Sequence, residues 1–167
     1  MKEIEQLYVD YNKDIHRFLL KISGYDFFLA EELTQETFYQ AFKSLGKFQG
    51  RCHIKTWLCQ IAKNSYYQHL KKSQKQHMAV KRASYENENK TNTNLESRVE
   101  DEELIQYVLE LINVLDDRTR DVMLYRLYSE LPYAQIALLL GISEGSAKVI
   151  FYRGKAFLQA KLREDHG

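Results

Sequence analysis

A scarcity of helix breakers constrains this chain more than any other feature. Among its 167 residues there is one proline, Pro132, and there are only seven glycines. An all-β fold needs many such residues for its repeated turns, whereas helices can run on without them. The chain is therefore predicted to be all-α. Its 44% hydrophobic and 28% charged residues suit a folded protein of one medium domain or two small ones.

The charges are separated along the chain although they nearly cancel in total. Residues 37–85 hold ten Lys and Arg and no Asp or Glu, whereas residues 86–117 hold ten acidic residues and two basic ones. So long a basic stretch creates a local positive field that the net charge of +1 conceals. This distribution predicts binding to a polyanion.

Two amphipathic helices are predicted at the start of the chain. Apolar residues three or four apart run from Ile4 to Ile22 and again from Ala30 to Leu45, the period of a helix with one buried stripe. The opposite side of the second helix carries four polar residues: Glu31, Glu32, Gln35 and Glu36. An acidic face is usually only solvated. In a chain that binds DNA, however, it would repel phosphates, so a protein partner is the better explanation.

A third helix, from about Ile54 to Lys72, follows a glycine-containing loop. Trp57 falls on its inner stripe and is expected in the core, while Thr56, Lys63 and Tyr67 fall on the outer stripe. The loop and helix mix lysines and aromatic residues, which suits single-stranded nucleic acid because cations follow phosphates and rings stack on bases. The candidates are Lys47, Arg51, Lys55, Lys63, Asn64, Tyr66, Tyr67 and Lys71.

The predicted organisation is a first domain at 1–72, a flexible polar linker at 73–98 and a second domain at 99–167. The linker is polar and poor in large apolar residues. In the second domain, Pro132 suits the first turn of a short helix, Gly141 suits its left-handed stop and Ser143 suits the cap of the next helix. These are the parts of a helix-turn-helix.

The second helix of such a motif lies in the major groove, where its outward side chains meet bases and phosphates. Its inward stripe here is Ala147, Phe151, Gly154 and Leu158. The outward residues that suit DNA contacts are Ser146, Lys148, Val149, Tyr152 and Arg153. An ordinary helical hairpin without a binding role is the competing explanation of this pattern.

Two stretches resemble the extracytoplasmic-function sigma factors of the sigma-70 family. Ala30-Glu-Glu-Leu-Thr-Gln-Glu-Thr-Phe38 and Thr56-Trp-Leu-Cys-Gln-Ile-Ala-Lys-Asn64 resemble their region 2. Leu131-Pro-Tyr-Ala-Gln-Ile-Ala-Leu-Leu-Leu-Gly-Ile-Ser-Glu-Gly-Ser-Ala-Lys148, followed by Tyr152-Arg-Gly-Lys155, resembles their region 4. The resemblance covers both domains in order, with a variable linker between them.

The resemblance implies a sigma factor that binds core RNA polymerase and directs it to promoter DNA, in response to envelope or other stress. Glu31, Glu32, Gln35 and Glu36 would dock on the polymerase clamp helices. The loop and third helix would read the melted minus-ten element and hold a flipped base, whose extrusion costs a few kcal/mol. The helix-turn-helix would read the minus-thirty-five duplex. Family behaviour also implies a dedicated anti-sigma factor as partner.

One departure from the family pattern concerns promoter specificity. Ser146-Ala-Lys-Val-Ile150 stands where members often have Thr-Val-Lys-Ser-Arg, so an expected serine and arginine are aliphatic here. The specificity of the family for the minus-thirty-five element therefore does not carry over to this chain.

Other functions explain less of the chain. A stand-alone helix-turn-helix regulator would leave the acidic and the aromatic-basic helices without a task, and a helical adaptor would leave the basic block unexplained. No catalytic constellation, metal-ligand spacing or cofactor motif is found, so neither an enzyme nor a cofactor is predicted. Cys52 and Cys59 fit no metal or redox motif. No membrane-length apolar run or signal segment is seen, and a cytoplasmic location is expected.

Overall fold

The computed structural model describes residues 2–81 and 96–166, which are built of helices and turns. The helices are α1 (Lys2–Ile22), α2 (Phe27–Ser44), α3 (Ile54–Lys81), α4 (Glu96–Asn113), α5 (Asp117–Tyr128), α6 (Tyr133–Leu140) and α7 (Glu144–His166), with a 3-10 turn at Leu45–Lys47. The all-α prediction is confirmed. Within the described ranges, no single helix is long and apolar enough to cross a membrane.

Helices α1, α2 and α3 form the first half of the molecule around a common core. Most residues of the predicted stripes of α1 and α2 are buried, with Ile15, Phe18, Ala30 and Ala41 almost completely inaccessible to solvent, whereas the stripe ends at Ile4 and Leu45 are half-buried. The Asp26 side chain caps α2 by accepting a hydrogen bond from the Leu29 N–H at 3.1 Å. The acidic side of α2 consequently faces solvent.

Helix α3 differs from its predicted form in three ways. It continues to Lys81, beyond its expected end at Lys72, and residues 82–95 of the predicted linker lie outside the described residues. Thr56 was expected on the exposed stripe but is buried, because it faces the second half of the molecule. Trp57, expected in the core, is half-buried and packs on Phe48 with ring centroids 4.9 Å apart.

Helices α4 to α7 form the second half, and α6 and α7 make the predicted helix-turn-helix. The chain turns by 101° between them, within the usual range for this motif. Gly141 ends α6 in the left-handed conformation at φ 65°, and the Ser143 hydroxyl accepts a hydrogen bond from the Ser146 N–H at 3.0 Å. Pro132 sits one position earlier than expected, as the N-cap of α6. The inward stripe of α7 is buried as predicted.

The two halves pack directly against each other, which the sequence did not predict. Phe18 of α1 and Tyr125 of α5 are both 1% exposed, and their stacked rings lie 6.4 Å apart. Helix α3 also contacts α6. Buried residues of both halves therefore form one continuous core.

Replacing Gly141 by Ala tests the turn of the helix-turn-helix. We expect Gly141→Ala to lower the free energy of unfolding by about 1–2 kcal/mol, because a side chain is strained in the left-handed region. Urea denaturation followed by circular dichroism measures this. Gly145→Ala is the matched control, since Gly145 lies in α7 and an added methyl group would meet no neighbouring atom. Equal loss of stability in both variants would contradict the prediction.

Candidate nucleic-acid interface

The acidic residues of α2 form a continuous exposed stripe. Glu31, Glu32, Gln35 and Glu36 all face solvent. Within the described parts of the chain, none of the three glutamates forms an ion pair, and Glu36 only accepts a hydrogen bond from Gln40 at 2.8 Å. The negative charge of the stripe is therefore not compensated by any described residue.

The loop before α3 presents the first basic candidates. Lys47 and Arg51 are exposed, whereas Lys55 is partly buried, with its ammonium 3.9 Å from an Asp14 carboxylate oxygen. The packing of Phe48 on Trp57 fixes the loop against α3. Two of the three cations are therefore free to meet phosphates.

The candidates on α3 have different environments. Asn64 and Lys71 are exposed, but Tyr66 is only 8% exposed and its ring is unavailable for stacking on a base. Lys63 is largely buried in an ion pair with Asp121 of α5, with Nζ and Oδ2 2.8 Å apart. The surface predicted from α3 is thus only partly accessible to an external ligand.

Tyr67, the remaining candidate, also contacts the second half. Its hydroxyl donates a hydrogen bond to Asn113 Oδ1 at 2.7 Å, and the Arg120 guanidinium lies 4.2 Å from its ring centroid. Burial raises the pKa of the Tyr67 hydroxyl well above its usual range, so the hydroxyl stays a protonated donor.

Sequence reasoning missed the residues of the second half that hold α3. One signal existed for Asp121, because this acidic residue lies next to Val122 and one helical turn before Tyr125, on the apolar side of α5. A carboxylate there requires a buried partner. Gln135 carried no such signal, yet its side-chain oxygen accepts from the His53 N–H at 2.9 Å and the Thr56 hydroxyl at 3.0 Å.

The outward face of α7 is accessible along its length. All five predicted residues are exposed: Ser146, Lys148, Val149, Tyr152 and Arg153. Lys148 Nζ lies 3.8 Å from Glu144 Oε1. This surface ion pair contributes little to stability, so Lys148 can leave Glu144 for a phosphate. Tyr152 is 61% and Val149 48% exposed, so apolar side chains stand between the cations. Such a face suits a DNA groove.

The described residues include no group of three or more His, Cys, Asp or Glu side chains placed to hold a metal ion. Cys52 and Cys59 are free thiols. Cys59 lies against the junction of the halves, beside Tyr128 and Ser129. Its burial raises the pKa of the thiol to about 12.

The comparisons with known proteins agree with this geometry. The sigma-70 region 2 family matches residues 7–76, and the sigma-70 region 4 family matches residues 105–158. The chain is 27% identical over 160 residues to the ECF RNA polymerase sigma factor SigM of Bacillus subtilis, covering 94% of this chain and 93% of SigM. The chain belongs to the extracytoplasmic-function sigma factors of the sigma-70 family. It is also 28% identical to the RNA polymerase sigma factor YlaC of the same organism, covering 95% and 91% of the two chains.

Solved structures show the same fold. The sigma factor RpoE of Bartonella quintana, in complex with the anti-sigma factor NepR, matches with a TM-score of 0.64 at 20% identity, covering 99% of this chain and all of that one. CnrH, in complex with the cytosolic domain of CnrY, matches with a TM-score of 0.66 at 18% identity, covering 98% and 90%. Because it belongs to the sigma-70 family, the chain binds core RNA polymerase and directs transcription from promoters.

The two thiols should differ strongly in reactivity. At pH 8 we expect a thiol reagent to label Cys52 on the order of a hundredfold faster than Cys59, because the thiolate reacts and Cys59 ionises only near pH 12. Labelling both residues under native and denaturing conditions measures this. Cys52→Ser is the control, since it should leave only the slow thiol. Equal native rates would contradict the burial of Cys59.

Proposed function

We propose that three surfaces divide the work of this sigma factor. Glu31, Glu32, Gln35 and Glu36 dock on core polymerase. The minus-ten element is read by Lys47, Arg51, Lys55, Lys63, Asn64, Tyr67 and Lys71. The minus-thirty-five element is read by Ser146, Lys148, Val149, Tyr152 and Arg153. In this scheme residues 1–72 and 99–167 act as the two promoter-binding domains, and residues 73–98 join them.

The single observation that carries this division is the charge of the α2 stripe. Its exposed carboxylates are unneutralised by described residues, and phosphates would be repelled there. Exposed cations occur instead on the loop before α3, at Lys47 and Arg51, and on α7, at Lys148 and Arg153. A protein surface is therefore the partner for α2, and nucleic acid is the partner for the other two.

The minus-ten surface is suited to a single strand rather than a duplex. Its loop cations are exposed at Lys47 and Arg51, and Asn64 offers both a donor and an acceptor to an unpaired base edge. Tyr67 supplies the ring for stacking. Bases in a duplex hide these edges, so melting by the polymerase comes before reading.

The minus-thirty-five surface reads a duplex through α7. Lys148 and Arg153 contact phosphates or guanines, while Val149 and Tyr152 pack against thymine methyl groups. Val149 and the following Ile150 replace polar residues of the family pattern, so apolar contacts contribute more here. The preferred element should be correspondingly rich in thymine.

A dedicated anti-sigma factor is part of the proposal, as are action in the cytoplasm, a stress signal and the absence of an enzymatic activity of the chain itself. The two structural neighbours were solved with an anti-sigma factor or with a cytosolic domain bound, which supports a partner of this kind. Purification of the tagged chain from unstressed cells of its native organism should yield such a protein. Recovery without any partner would count against it.

Run-off transcription tests the docking surface. We expect Gln35→Ala with Glu36→Lys to reduce promoter-specific transcripts from purified core polymerase by at least about tenfold, because interface hot spots contribute more than about 1.4 kcal/mol. A library of genomic promoter fragments serves as template.

Gln6→Ala with Glu3→Lys is the matched control for that experiment. It makes the same changes at exposed positions of α1 and should leave transcription intact. Transcription that stays intact in the α2 variant, or falls equally in the α1 control, would contradict the proposed docking surface.

A further inference from the structure

Two consecutive residues of α5, Arg120 and Asp121, contact the α3 side chains that are proposed to bind the minus-ten strand. Asp121 Oδ2 accepts from Lys63 Nζ at 2.8 Å, and the Arg120 guanidinium lies 4.2 Å from the centre of the Tyr67 ring. Arg120 is itself paired with Asp121, its Nη2 lying 3.0 Å from Oδ1. The anion and the planar cation are therefore held as one unit.

The Arg120–Asp121 pair presents an anionic group and a flat group side by side, as a nucleotide does. Proteins bind single strands by placing a cation on a phosphate and an aromatic ring on a base. A carboxylate accepts charge-assisted hydrogen bonds as a phosphate does, and a guanidinium is a flat group that stacks on aromatic faces. Asp121 on Lys63 thus stands where a phosphate would be, and Arg120 on Tyr67 stands where a base would be.

We propose that Arg120 and Asp121 form an intramolecular nucleotide mimic that blocks the minus-ten surface until the two halves separate. The proposal rests on the proposed roles of Lys63 and Tyr67 in binding the strand. The Lys63 and Asp121 side chains are only 12% and 11% exposed, so little water reaches the ion pair. Such a pair is screened by salt far less than a surface pair.

A second contact secures the mimic from the other end of α3. Gln135 of α6 accepts two hydrogen bonds, from the His53 N–H and the Thr56 hydroxyl. Both donors lie where the minus-ten loop enters α3. The clamp therefore restrains the loop while α5 covers the helix.

The promoter itself requires that the halves separate. Helix α3 contacts α6, and α6 packs on α7. At about 8–10 Å between packed helices, α3 and α7 lie roughly 20 Å apart. The minus-ten and minus-thirty-five elements are about 25 base pairs apart, or roughly 85 Å along the duplex. The closed arrangement cannot reach both elements at once.

Polymerase docking does not require this separation. Gln35 and Glu36 remain exposed while Lys63 is covered. The closed chain can thus meet the polymerase first and expose the minus-ten surface afterwards. Before that step, the apparent affinity for a single strand is the affinity of the open form multiplied by the fraction of molecules that are open.

Asp121→Asn tests the mimic, with Asp117→Asn as the control. Both remove one negative charge from α5, but Asp117 is 92% exposed and pairs only with Arg120 among the described residues. The probe is a fluorescent single strand of about 12 nucleotides and random sequence, bound to the full chain and followed by anisotropy. We expect Asp121→Asn to bind about tenfold tighter or more, and Asp117→Asn to bind as wild type does. Equal tightening in both would overturn the mimic.

Gln135→Ala keeps the proposal testable if Asp121→Asn folds poorly. It removes the clamp without changing charge, and we expect tighter binding together with faster labelling of Cys59 in a Cys52→Ser background. Faster labelling reports opening, since Cys59 lies beside Ser129 at the junction. Faster labelling without tighter binding would overturn the mimic.

A double variant separates failure of the mimic from failure of the proposed function. Adding Lys63→Ala to Asp121→Asn should abolish the gain in affinity. If the double variant binds as tightly as Asp121→Asn, Lys63 has no role in binding the strand and both proposals fail. If Asp121→Asn opens the chain without tightening binding, only the mimic fails.

Discussion

The contact between Lys63 and Asp121 is the constraint on which the arrangement of this molecule depends. Two largely buried charges are tolerated only when each is paired, because desolvation costs several kcal/mol per ion. Arg120 pairs with the second carboxylate oxygen, and the Tyr125 ring lies 5.8 Å from the Lys63 ammonium. Removing one partner of such a pair costs about 3–5 kcal/mol. The two halves can therefore pack in few other registers, because a shift would strand a charge.

Around this contact the three proposed surfaces differ in accessibility. The α2 stripe and the outward face of α7 are open to solvent, whereas the α3 surface is divided. Asn64 and Lys71 remain exposed, but Lys63 and Tyr67 face the second half. The accessible surfaces suit polymerase and duplex DNA, which exist before a promoter melts. The covered surface suits a single strand, which exists only afterwards.

The sequence predicted the helices, the buried faces of α1, α2 and α7 and the turn at Gly141, because each depends on residues a few positions apart. It did not predict the junction. Thr56 and Lys63 are polar, so periodicity placed them on the solvent side of α3. Their partners Gln135 and Asp121 lie 79 and 58 positions further along the chain. Periodicity shows which face of a helix is apolar, but a polar face can also be buried when a distant segment satisfies it.

The polar character of the junction sets how easily it opens. Each described buried side-chain nitrogen or oxygen has a hydrogen-bond partner, so the closed state has no unsatisfied group that would destabilise it. The neutral hydrogen bonds of Gln135 and Tyr67 each contribute only about 1 kcal/mol net, because water or DNA can replace the partner after separation. The apolar contribution of Phe18 and Tyr125 favours closure without such an exchange. The junction combines the Phe18–Tyr125 contact with polar contacts whose partners water or DNA can replace. It therefore stays closed in the free protein, yet a single strand that binds Lys63 and Tyr67 can open it.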